Sequence, residues 1–345
     1  EAYNNGKYTI AEKQQMFPHL FNSLSVVIPV LSSTFASVGR FLKHAGNMSL
    51  GMLIIDESGQ AVPQSALGAI YRTRRAVVVG DPLQVEPVVT IPKVLIDILA
   101  DSTCVANAYK VIENSVQTFS DNINEFNGMI GERQVGCPLV VHRRCIEPMF
   151  SISNLISYDN RMFNKTNKKE EYLKPENLFL IKKSGWINVE GEENGGKDHF
   201  VKNQAERVCQ LLENALHIYT NLYETDDKIF IITPFRTVAE SMRKFIISYF
   251  SVKGYDKQIL SKWTKNCVGT VHTFQGKDAN EVLLVLGCSN KSAGAMNWVV
   301  KKANILNVAC TRAKYRIAFI GNINDWKNRR YFREFIPSFI DIINV

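Results

Sequence analysis

Two short apolar runs, each followed by polar residues, constrain the fold of this 345-residue chain more than any other feature. The run at residues 51–55 (Gly-Met-Leu-Ile-Ile) leads into Asp-Glu-Ser-Gly-Gln at 56–60. The run at residues 77–79 (Val-Val-Val) leads into Gly-Asp-Pro-Leu-Gln at 80–84. Such runs are typical of parallel strands covered on both faces, and ligands of parallel sheets bind beyond the carboxyl ends of the strands. The pattern therefore predicts two buried parallel strands with chemistry at their ends.

The adjacent carboxylates of Asp56 and Glu57 suit a site that hydrolyses a nucleotide. In such a site the first acid holds magnesium, usually through water, and the second polarises the attacking water. Gln84, after the next strand, could sense a γ-phosphate. The plainer alternative is that Asp56 caps a following helix and Glu57 is solvated, because carboxylates are favoured at helix starts. The Gly-Asp-x-x-Gln element that follows favours the hydrolytic interpretation.

These two elements resemble motifs II and III of superfamily 1 helicases, in the branch that contains the nonsense-mediated-decay helicase. The resemblance continues in the family's order along the chain. Residues 139–145 (Leu-Val-Val-His-Arg-Arg-Cys) are similar to its Leu-x-x-Gln-Tyr-Arg-Met element, and residues 231–235 to its motif IV. Residues 271–278 (Val-His-Thr-Phe-Gln-Gly-Lys-Asp) look like motif V, and residues 306–314 like motif VI. Residues 29–37 resemble the segment between motifs I and II that touches nucleic acid.

The resemblance implies an ATP-dependent motor that moves 5′ to 3′ on single-stranded DNA or RNA and needs Mg²⁺, held by Asp56. It places Arg144 and Arg312 at the γ-phosphate, where the planar guanidinium suits charge spread over several oxygens. Arg143 is the alternative to Arg144, and Asp278 stands where many relatives carry glutamate. The implied nucleotide contacts are Gly80, Asp81, Gln275, Gly276 and Lys277. The implied nucleic-acid contacts are Ser33, Thr34, Thr233 and His272, with Phe35 or Phe235 as stacking platforms or, more simply, core residues.

The family's phosphate-binding loop, Gly-x-x-x-x-Gly-Lys-Ser/Thr, does not occur before Asp56. Residues 191–198 (Gly-Glu-Glu-Asn-Gly-Gly-Lys-Asp) have the spacing but the wrong chemistry. Asp198 replaces the hydroxyl that binds magnesium, and Glu192 and Glu193 put negative charge where phosphates would lie. We therefore expect a fragment that begins inside the first motor domain and is inactive alone, with the missing N-terminal part of the same polypeptide supplying the loop.

Composition is typical of a cytoplasmic α/β protein. The seven cysteines form no Cys-x-x-Cys pair, which argues against a zinc ribbon or a disulfide framework. The net charge of +8 favours a polyanionic partner. No stretch has secretory or transmembrane character, so no membrane partner is expected.

Periodicity predicts two RecA-like domains with parallel sheets, the first truncated: residues 1–127 with motifs II and III, and residues 128–345 with motifs IV, V and VI. In the first domain we expect strands at 25–31, 52–55 and 76–79, a helix at 62–71, and helical structure over 92–126. In the second we expect a helix over 144–156. Its other predicted elements are strands at 186–189, 229–233, 268–271, 282–286 and 317–321, and helices at 203–219, 238–250 and 303–311. The charged run 165–174 is expected to be a solvated loop.

The sequence thus predicts an ATP-dependent helicase or translocase. The alternative from another class is a clamp or scaffold that binds nucleic acid without hydrolysis, in which the motor motifs survive only as architecture. Asp56, Glu57, Gln84, Arg144 and Arg312 together argue against such decay. An intact phosphate-binding loop upstream in the parent protein would favour the motor.

Overall fold

The computed structural model describes residues 6–106, 109–110, 112, 114–130, 133–166, 179–195, 198–218 and 228–343. The chain divides into two compact units. The first comprises Glu1–Met129 and Gln134–Cys137, and the second comprises Ile130–Arg133 and Pro138–Val345. The predicted boundary after residue 127 lies beside this division, and the assignment of the motifs to two functional domains stays a prediction. Two short strands, β3 (Gly128–Ile130) and β4 (Arg133–Val135), pair where the chain passes from one unit to the other.

The first unit contains two parallel strands, β1 (Leu50–Ile55) and β2 (Thr73–Val78), joined by the helix Pro63–Tyr71. The register pairs Ile54 with Val77 and Ile55 with Val78. Both predicted strands, their parallel direction and the connecting helix are confirmed. The helical stretch predicted over 92–126 consists of two separate helices in the described residues. The other described helices of this unit are Ile10–Ser25, Phe35–Phe41, Lys93–Ser102 and Val116–Ile123.

Only one face of the β1–β2 pair is covered by described residues. Ile55, Ala66 and Val116 form a buried cluster, against which Phe35 and Leu53 pack. On the other face Met52 is 58% exposed and Ile54 is 66% exposed. Successive side chains of a strand point to opposite faces, so a sheet covered on one side must expose every second residue. The prediction of strands buried on both faces is therefore wrong for the described part of this unit.

The strand predicted at residues 25–31 is also wrong. The helix Ile10–Ser25 extends to residue 25, and residues 26–34 form turn and irregular backbone. Thr9 caps the start of this helix: its Oγ1 accepts from the Glu12 amide at 3.3 Å, and the Glu12 carboxylate accepts from the Thr9 amide at 2.7 Å. An apolar run becomes a strand only where it finds a partner strand. Val26, Val27 and Val30 are exposed, and the described residues offer them none.

The second unit contains a five-stranded parallel sheet in the order β7-β11-β10-β8-β9. Helices separate the strands along the chain, as in doubly wound folds, which confirms the predicted α/β class. The strands of the sheet are β7 (Gly185–Asn188), β8 (Ile229–Thr233), β9 (Val268–Thr270), β10 (Ala279–Val285) and β11 (Ala313–Gly321). The described helices are Met149–Ser157, Lys202–Ile218, Arg236–Val252, Lys257–Cys267, Ala293–Val299, Asn304–Arg312, Ile323–Trp326 and Phe332–Phe339. A separate parallel pair joins β5 (Val141–His142) and β6 (Phe163–Asn164).

All five strands predicted for this unit are present. The helix predicted over 144–156 begins later, at Met149, with Pro148 as its N-cap. Proline disfavours helical backbone in the residue before it, here Glu147, so the helix does not extend further toward the amino terminus. Arg144 therefore lies in the loop before the helix. The helix Lys257–Cys267 was not predicted; Asp256 caps it by accepting from the Gln258 and Ile259 amides. Residue 219 of one predicted helix and residues 167–174 of the charged run lie outside the described residues.

All seven cysteines are free thiols, and five of them are buried. No disulfide therefore constrains either unit. Within the described ranges, no helix combines the length and the apolar character needed to cross a bilayer.

A buried carboxylate lies on the central strand of the larger sheet. Glu281 is 1% exposed, and its two oxygens accept from the amides of Leu180 at 2.6 Å and Ile181 at 3.0 Å. Arg316, its register partner on β11, donates to the Ile181 carbonyl and lies 4.0 Å above the Phe179 ring. Burial raises the pKa of Glu281 to about 7, against the opposing effect of these amides and of Arg316. Glu281 thus fastens the segment before β7 to the sheet.

This carboxylate should make stability fall with rising pH. The folded pKa of about 7 exceeds the ordinary value of 4.5, so the folded state binds more protons than the unfolded state between these values. We expect the associated stabilisation to be complete below 4.5 and lost as the pH passes about 7. Glu281→Gln should remove this slope, whereas Glu240→Gln, at an exposed position of the same unit, should keep it. Denaturant unfolding followed by tryptophan fluorescence reports the second unit alone, because Trp186, Trp263, Trp298 and Trp326 all lie there. An identical slope in Glu281→Gln would contradict the assignment.

Candidate functional site

The acidic pair lies in a tight turn at the carboxyl end of β1. Both side chains are exposed. Asp56 Oδ1 accepts from the Glu57 amide at 2.8 Å, and the Glu57 carboxylate accepts from Gln60 Nε2 at 2.9 Å. Glu57 has a φ of 51°, a left-handed conformation that non-glycine residues adopt mainly at turns and functional sites. The 3₁₀ helix Ser58–Gln60 follows, so Asp56 does not cap a regular helix as the plainer alternative required.

Asp81 organises the turn after β2. Its Oδ1 accepts from the Leu83 amide at 2.9 Å, and its Oδ2 accepts from Gln84 Nε2 at 2.9 Å. Both carboxylate oxygens thus hold the turn, and Asp81 acts on the Gln84 side chain directly. The structure shows Asp81 as the residue that positions Gln84, while a nucleotide contact by Asp81 or Gly80 stays a prediction.

The turn after β1 and the turn after β2 are in direct backbone contact. The Ser58 amide donates to the Val79 carbonyl at 3.0 Å, and the Val79 amide donates to the Ile55 carbonyl at 2.8 Å. A Cβ on Gly80 would lie 2.8 Å from the amide nitrogens of Ser58 and Gly59, and one on Gly59 would lie 2.8 Å from the Asp81 carbonyl oxygen. These glycines therefore allow a contact that any side chain would force apart. The contact sets Asp56 and Glu57 beside the turn that carries Gln84.

A buried polar chain behind this contact could not be recognised from sequence. Ser58 is 0% exposed, and its hydroxyl lies 2.6 Å from Gln117 Oε1 and 2.9 Å from the Val79 carbonyl. Gln117 Nε2 donates to Asp121 Oδ1 at 2.8 Å, which also accepts from the Gly136 amide. The chain links the acidic turn to the helix Val116–Ile123 and the segment after β4. Its only sequence signal is the serine of Asp-Glu-Ser-Gly-Gln, because Gln117 and Asp121 are distant along the chain.

In the second unit, Arg312 is entirely buried against the motif V segment. Its Nη1 donates to the Lys277 carbonyl at 3.0 Å and approaches the Phe274 carbonyl at 3.5 Å, and its Nη2 lies 3.4 Å from the Thr311 hydroxyl. The residue ends the helix Asn304–Arg312 directly before β11. Its contacts hold motifs V and VI together at the amino ends of β10 and β11.

The loop of Arg144 lies at the same edge of the sheet. The Ile146 amide donates to the Lys314 carbonyl at 3.1 Å, which ties this loop to the start of β11. The Cys145 amide donates to His142 Nε2 at 2.9 Å, and this bond shapes the loop. Arg143 is exposed and Arg144 is half-buried. The structure therefore brings both predicted arginines to the amino edge of β10 and β11.

The remaining motif V residues show mixed exposure. Gln275 Nε2 is buried and has no hydrogen-bond partner among the described residues. Gly276, with a φ of 76°, and Lys277 are exposed. Asp278, at the position where relatives carry glutamate, forms an ion pair with Lys314 at 2.7 Å. This pair occupies the carboxylate that a ribose contact would need.

The predicted nucleic-acid contacts are not equally accessible. Ser33 and Thr34 are exposed, and both hydroxyls lie within 3.0 Å of the Ser37 hydroxyl. His272 is also exposed, although partial desolvation of its ring lowers its pKa. Thr233, in contrast, is 1% exposed, and its hydroxyl accepts from the Phe235 amide at 3.4 Å. A phosphate cannot reach that hydroxyl in this conformation.

Both candidate stacking platforms belong to apolar packing. Phe35 packs against the buried cluster of the first unit. Phe235 is 9% exposed and lies between the rings of His199 and Trp298, with centroid distances of 4.9 and 5.8 Å. These positions support the simpler interpretation that the two rings are core residues.

The glycine-rich segment 191–198 is described except for residues 196 and 197, which carry its glycine-lysine pair. Glu192 forms an exposed ion pair with Lys291 at 2.9 Å. Glu193 accepts hydrogen bonds from the Ser289 amide and the Ser292 hydroxyl. The negative charge that argued against phosphate binding is thus engaged in structural contacts.

Comparison with known proteins matches most of the chain to the AAA domain family. Residues 125–324 match one AAA domain family and residues 3–91 match another. The chain is 22% identical over 328 residues to the probable helicase senataxin of Mus musculus. This alignment covers 92% of the chain and 11% of senataxin. It is 24% identical to an uncharacterized ATP-dependent helicase of Methanocaldococcus jannaschii, in an alignment that covers 96% of the chain and 44% of that helicase.

It is also 23% identical to the ATP-dependent helicase upf1 of Schizosaccharomyces pombe, with 83% of the chain and 28% of that protein covered. The chain thus spans less than half the length of each of these relatives. Among solved structures, an arterivirus nonstructural protein 10 (helicase) in complex with DNA is 12% identical. That match covers 83% of this chain and 42% of the other, with a TM-score of 0.37.

Gly80→Ala should separate the two turns of the first unit. Its Cβ would collide with backbone atoms of Ser58 and Gly59, which have no rotamer to adjust. We expect the amides of Ser58 and Val79 to exchange hydrogen roughly tenfold faster or more, about 1.4 kcal/mol of lost protection. Gly51→Ala is the matched control, since a Cβ on that β1 residue meets nothing within 4 Å. Equal protection in Gly80→Ala and Gly51→Ala would show that the close contact does not hold the turns together.

Proposed function

Because this chain belongs to the superfamily 1 helicases of the nonsense-mediated-decay-helicase branch, we propose that the protein carrying it uses ATP hydrolysis to move along single-stranded DNA or RNA. The observation that carries the proposal is the exposed pair Asp56 and Glu57 at the carboxyl end of β1, beside the turn of Gln84. Polarity from 5′ to 3′ and a cytoplasmic location, where free thiols persist, are parts of the same proposal.

The acidic turn suits magnesium and water activation. Mg²⁺ prefers oxygen ligands and keeps several waters, and an exposed carboxylate such as Asp56 fits that preference. Glu57 then orients and polarises the water that attacks the γ-phosphate. Gln84, which donates to Asp81 at 2.9 Å, responds to that phosphate in this proposal. The metal supplies charge neutralisation, and the two side chains supply orientation and a proton acceptor.

The second unit carries the arginines that the family resemblance assigns to the γ-phosphate. In this proposal Arg144 neutralises charge on the γ-phosphate, and an arginine in this role is worth about 10³ to 10⁵ in rate. Arg312, fully buried in this structure, would join it only after motif V moves. Gln275, Gly276 and Lys277 belong to the nucleotide-binding segment. In this structure Arg312 donates to the Lys277 carbonyl, so any movement of motif V on nucleotide binding moves the arginine as well. We propose that this bond couples the two motifs.

We propose that the protein binds nucleic acid through its phosphates rather than through the edges of its bases. The exposed hydroxyls of Ser33 and Thr34 and the imidazole of His272 can hold phosphates without reading sequence. Thr233 would join them only after a local rearrangement exposes its hydroxyl. The net charge of +8 supplies the long-range attraction.

Glu57→Gln should abolish steady-state ATP hydrolysis in the full-length protein and leave ATP binding nearly unchanged. The amide keeps the size of the carboxylate but cannot accept the proton of the attacking water. Phosphate release and nucleotide binding on the same preparation separate the two effects. Glu125→Gln, an exposed carboxylate of the same unit, is the control. A Glu57→Gln protein that still turns over would refute the role, and a wild-type protein that binds strands without any turnover would favour the non-hydrolysing clamp.

The chain of 345 residues alone should bind single strands weakly and hydrolyse ATP negligibly, because its sequence contains no Gly-x-x-x-x-Gly-Lys-Ser/Thr segment. Fluorescence anisotropy across a salt series should show affinity falling as ionic strength rises, since phosphate contacts release counterions. An affinity independent of salt would contradict binding through phosphates. Robust hydrolysis would mean that residues 191–198, or another segment, hold phosphate after all.

A further inference from the structure

A compact cluster of metal-ligating side chains lies away from the proposed ATP chemistry. Glu193, His199 and Cys288 place one potential ligand atom each within 4.8 Å of one another. Cys288 follows β10 at its carboxyl end, and Glu193 and His199 lie in the segment after β7. Both strands are parallel members of the same sheet, so the cluster joins two loops at one sheet edge. Arg312 and motif V lie at the opposite, amino edge of β10 and β11.

The cluster is built from several independent hydrogen bonds. His199 Nδ1 lies 3.0 Å from Glu193 Oε2, and the Cys288 amide donates to the His199 carbonyl at 2.9 Å. Glu193 and Val201 form an antiparallel bridge, which brings Glu193 and His199 to the same place. The Gly287 amide donates to Gln204 Oε1 at 2.9 Å and so anchors the loop of Cys288. The three side chains are therefore held in place by the surrounding fold.

Backbone conformation gives a second, independent indication of a special site. His199 has a φ of 57° and Cys288 a φ of 59°, both in the left-handed region. Non-glycine residues rarely adopt this region, and those that do cluster at ligand sites and switch regions. Two of the three potential ligands thus have an energetically unfavourable backbone conformation. The hydrogen bond from the Cys288 amide to the His199 carbonyl links these two residues directly.

We propose that Glu193, His199 and Cys288 bind a thiophilic divalent cation, with Zn²⁺ as the natural occupant. Zinc takes cysteine sulfur, histidine nitrogen and carboxylate oxygen, whereas magnesium and calcium prefer oxygen alone. Tetrahedral zinc needs ligand atoms about 3.3 to 3.8 Å apart, so the cluster has to contract only slightly. Three protein ligands leave a fourth position for water or another small donor.

The surroundings of each ligand suit this occupant. The Ser289 amide at 2.7 Å and the Ser292 hydroxyl at 2.8 Å orient the Glu193 carboxylate, as outer-shell groups do in metal sites. Burial and the nearby Glu193 raise the pKa of Cys288 to about 12, so the metal-free site holds a neutral thiol. A bound divalent cation displaces that proton to solvent and coordinates the thiolate. His199 binds as the neutral imidazole.

The bound metal would brace the carboxyl edge of the sheet. His199 packs against Phe235, which follows the buried Thr233 at the end of β8. Fastening the loops after β7 and β10 therefore also fixes the start of the helix Arg236–Val252. This role is structural and does not depend on the proposed ATP hydrolysis.

The test is metal binding by the whole chain after removal of bound metal with a chelator. Zn²⁺ titration against a chromophoric chelator should give one equivalent per chain. Co²⁺ should give a thiolate-to-metal charge-transfer band. Cys288→Ser should remove the band and lower the affinity at least about tenfold, and His199→Gln and Glu193→Gln should each lower the affinity similarly. Tryptophan fluorescence verifies that each variant keeps the second unit folded.

Two control variants separate this site from the other thiols. Cys209→Ser replaces a cysteine that is just as buried and whose pKa burial likewise raises to about 12. Cys145→Ser removes a second cysteine that contacts a histidine, with its sulfur 3.1 Å from His142 Nε2. Both should bind metal as the wild type does. Failure to bind Zn²⁺, a Co²⁺ spectrum without the thiolate band, or loss of binding in Cys145→Ser but not Cys288→Ser would overturn the proposal.

Discussion

Parallel strand pairing is the constraint on which the rest of this structure depends. Hydrogen bonding between parallel strands aligns all carboxyl ends at one edge of a sheet, so loops distant in sequence meet there. In the first unit this alignment sets Asp56 beside the turn of Gln84. In the second unit it brings the segments after β7, β8 and β10 together, where Thr233 and Cys288 lie. The opposite edge collects Arg144, Arg312 and the motif V carbonyls, so the two edges of one sheet carry different chemistry.

Within the first unit, the close approach of two backbones determines the geometry of the acidic turn. Gly59 and Gly80 lack the side chains that would hold the turns apart. The buried Ser58 hydroxyl donates to the Val79 carbonyl at this contact. A buried polar group is costly unless it is hydrogen-bonded, and Gln117 and Asp121 meet that requirement. Buried groups thus support the turn that carries the exposed acids. The same logic holds for Asp81, whose two oxygens are used to position Gln84.

Arg312 has structural contacts that limit the phosphate role proposed for it. A fully buried guanidinium is costly unless hydrogen-bond acceptors surround it, and motif V supplies two carbonyl oxygens. An arginine that contacted only a phosphate would cost little thermal stability when removed. The burial instead predicts a real cost, because truncation leaves the motif V carbonyls without their donor. Any contact of Arg312 with a phosphate would therefore require it to leave the Lys277 carbonyl.

The sequence by itself determined the α/β class, the strands that lead into motifs II to V, and the family, because apolar runs and ordered motifs are local signals. It failed where pairing or burial decides the outcome. Residues 25–31 have strand-like composition but no partner strand among the described residues, and packing buries the Thr233 hydroxyl that was predicted to bind phosphate. Only the tertiary structure brought Ser58 to Gln117, Arg312 to Lys277, and Glu193 and His199 to Cys288. Those contacts join residues far apart in the chain, and their spacing leaves no pattern that a sequence can reveal.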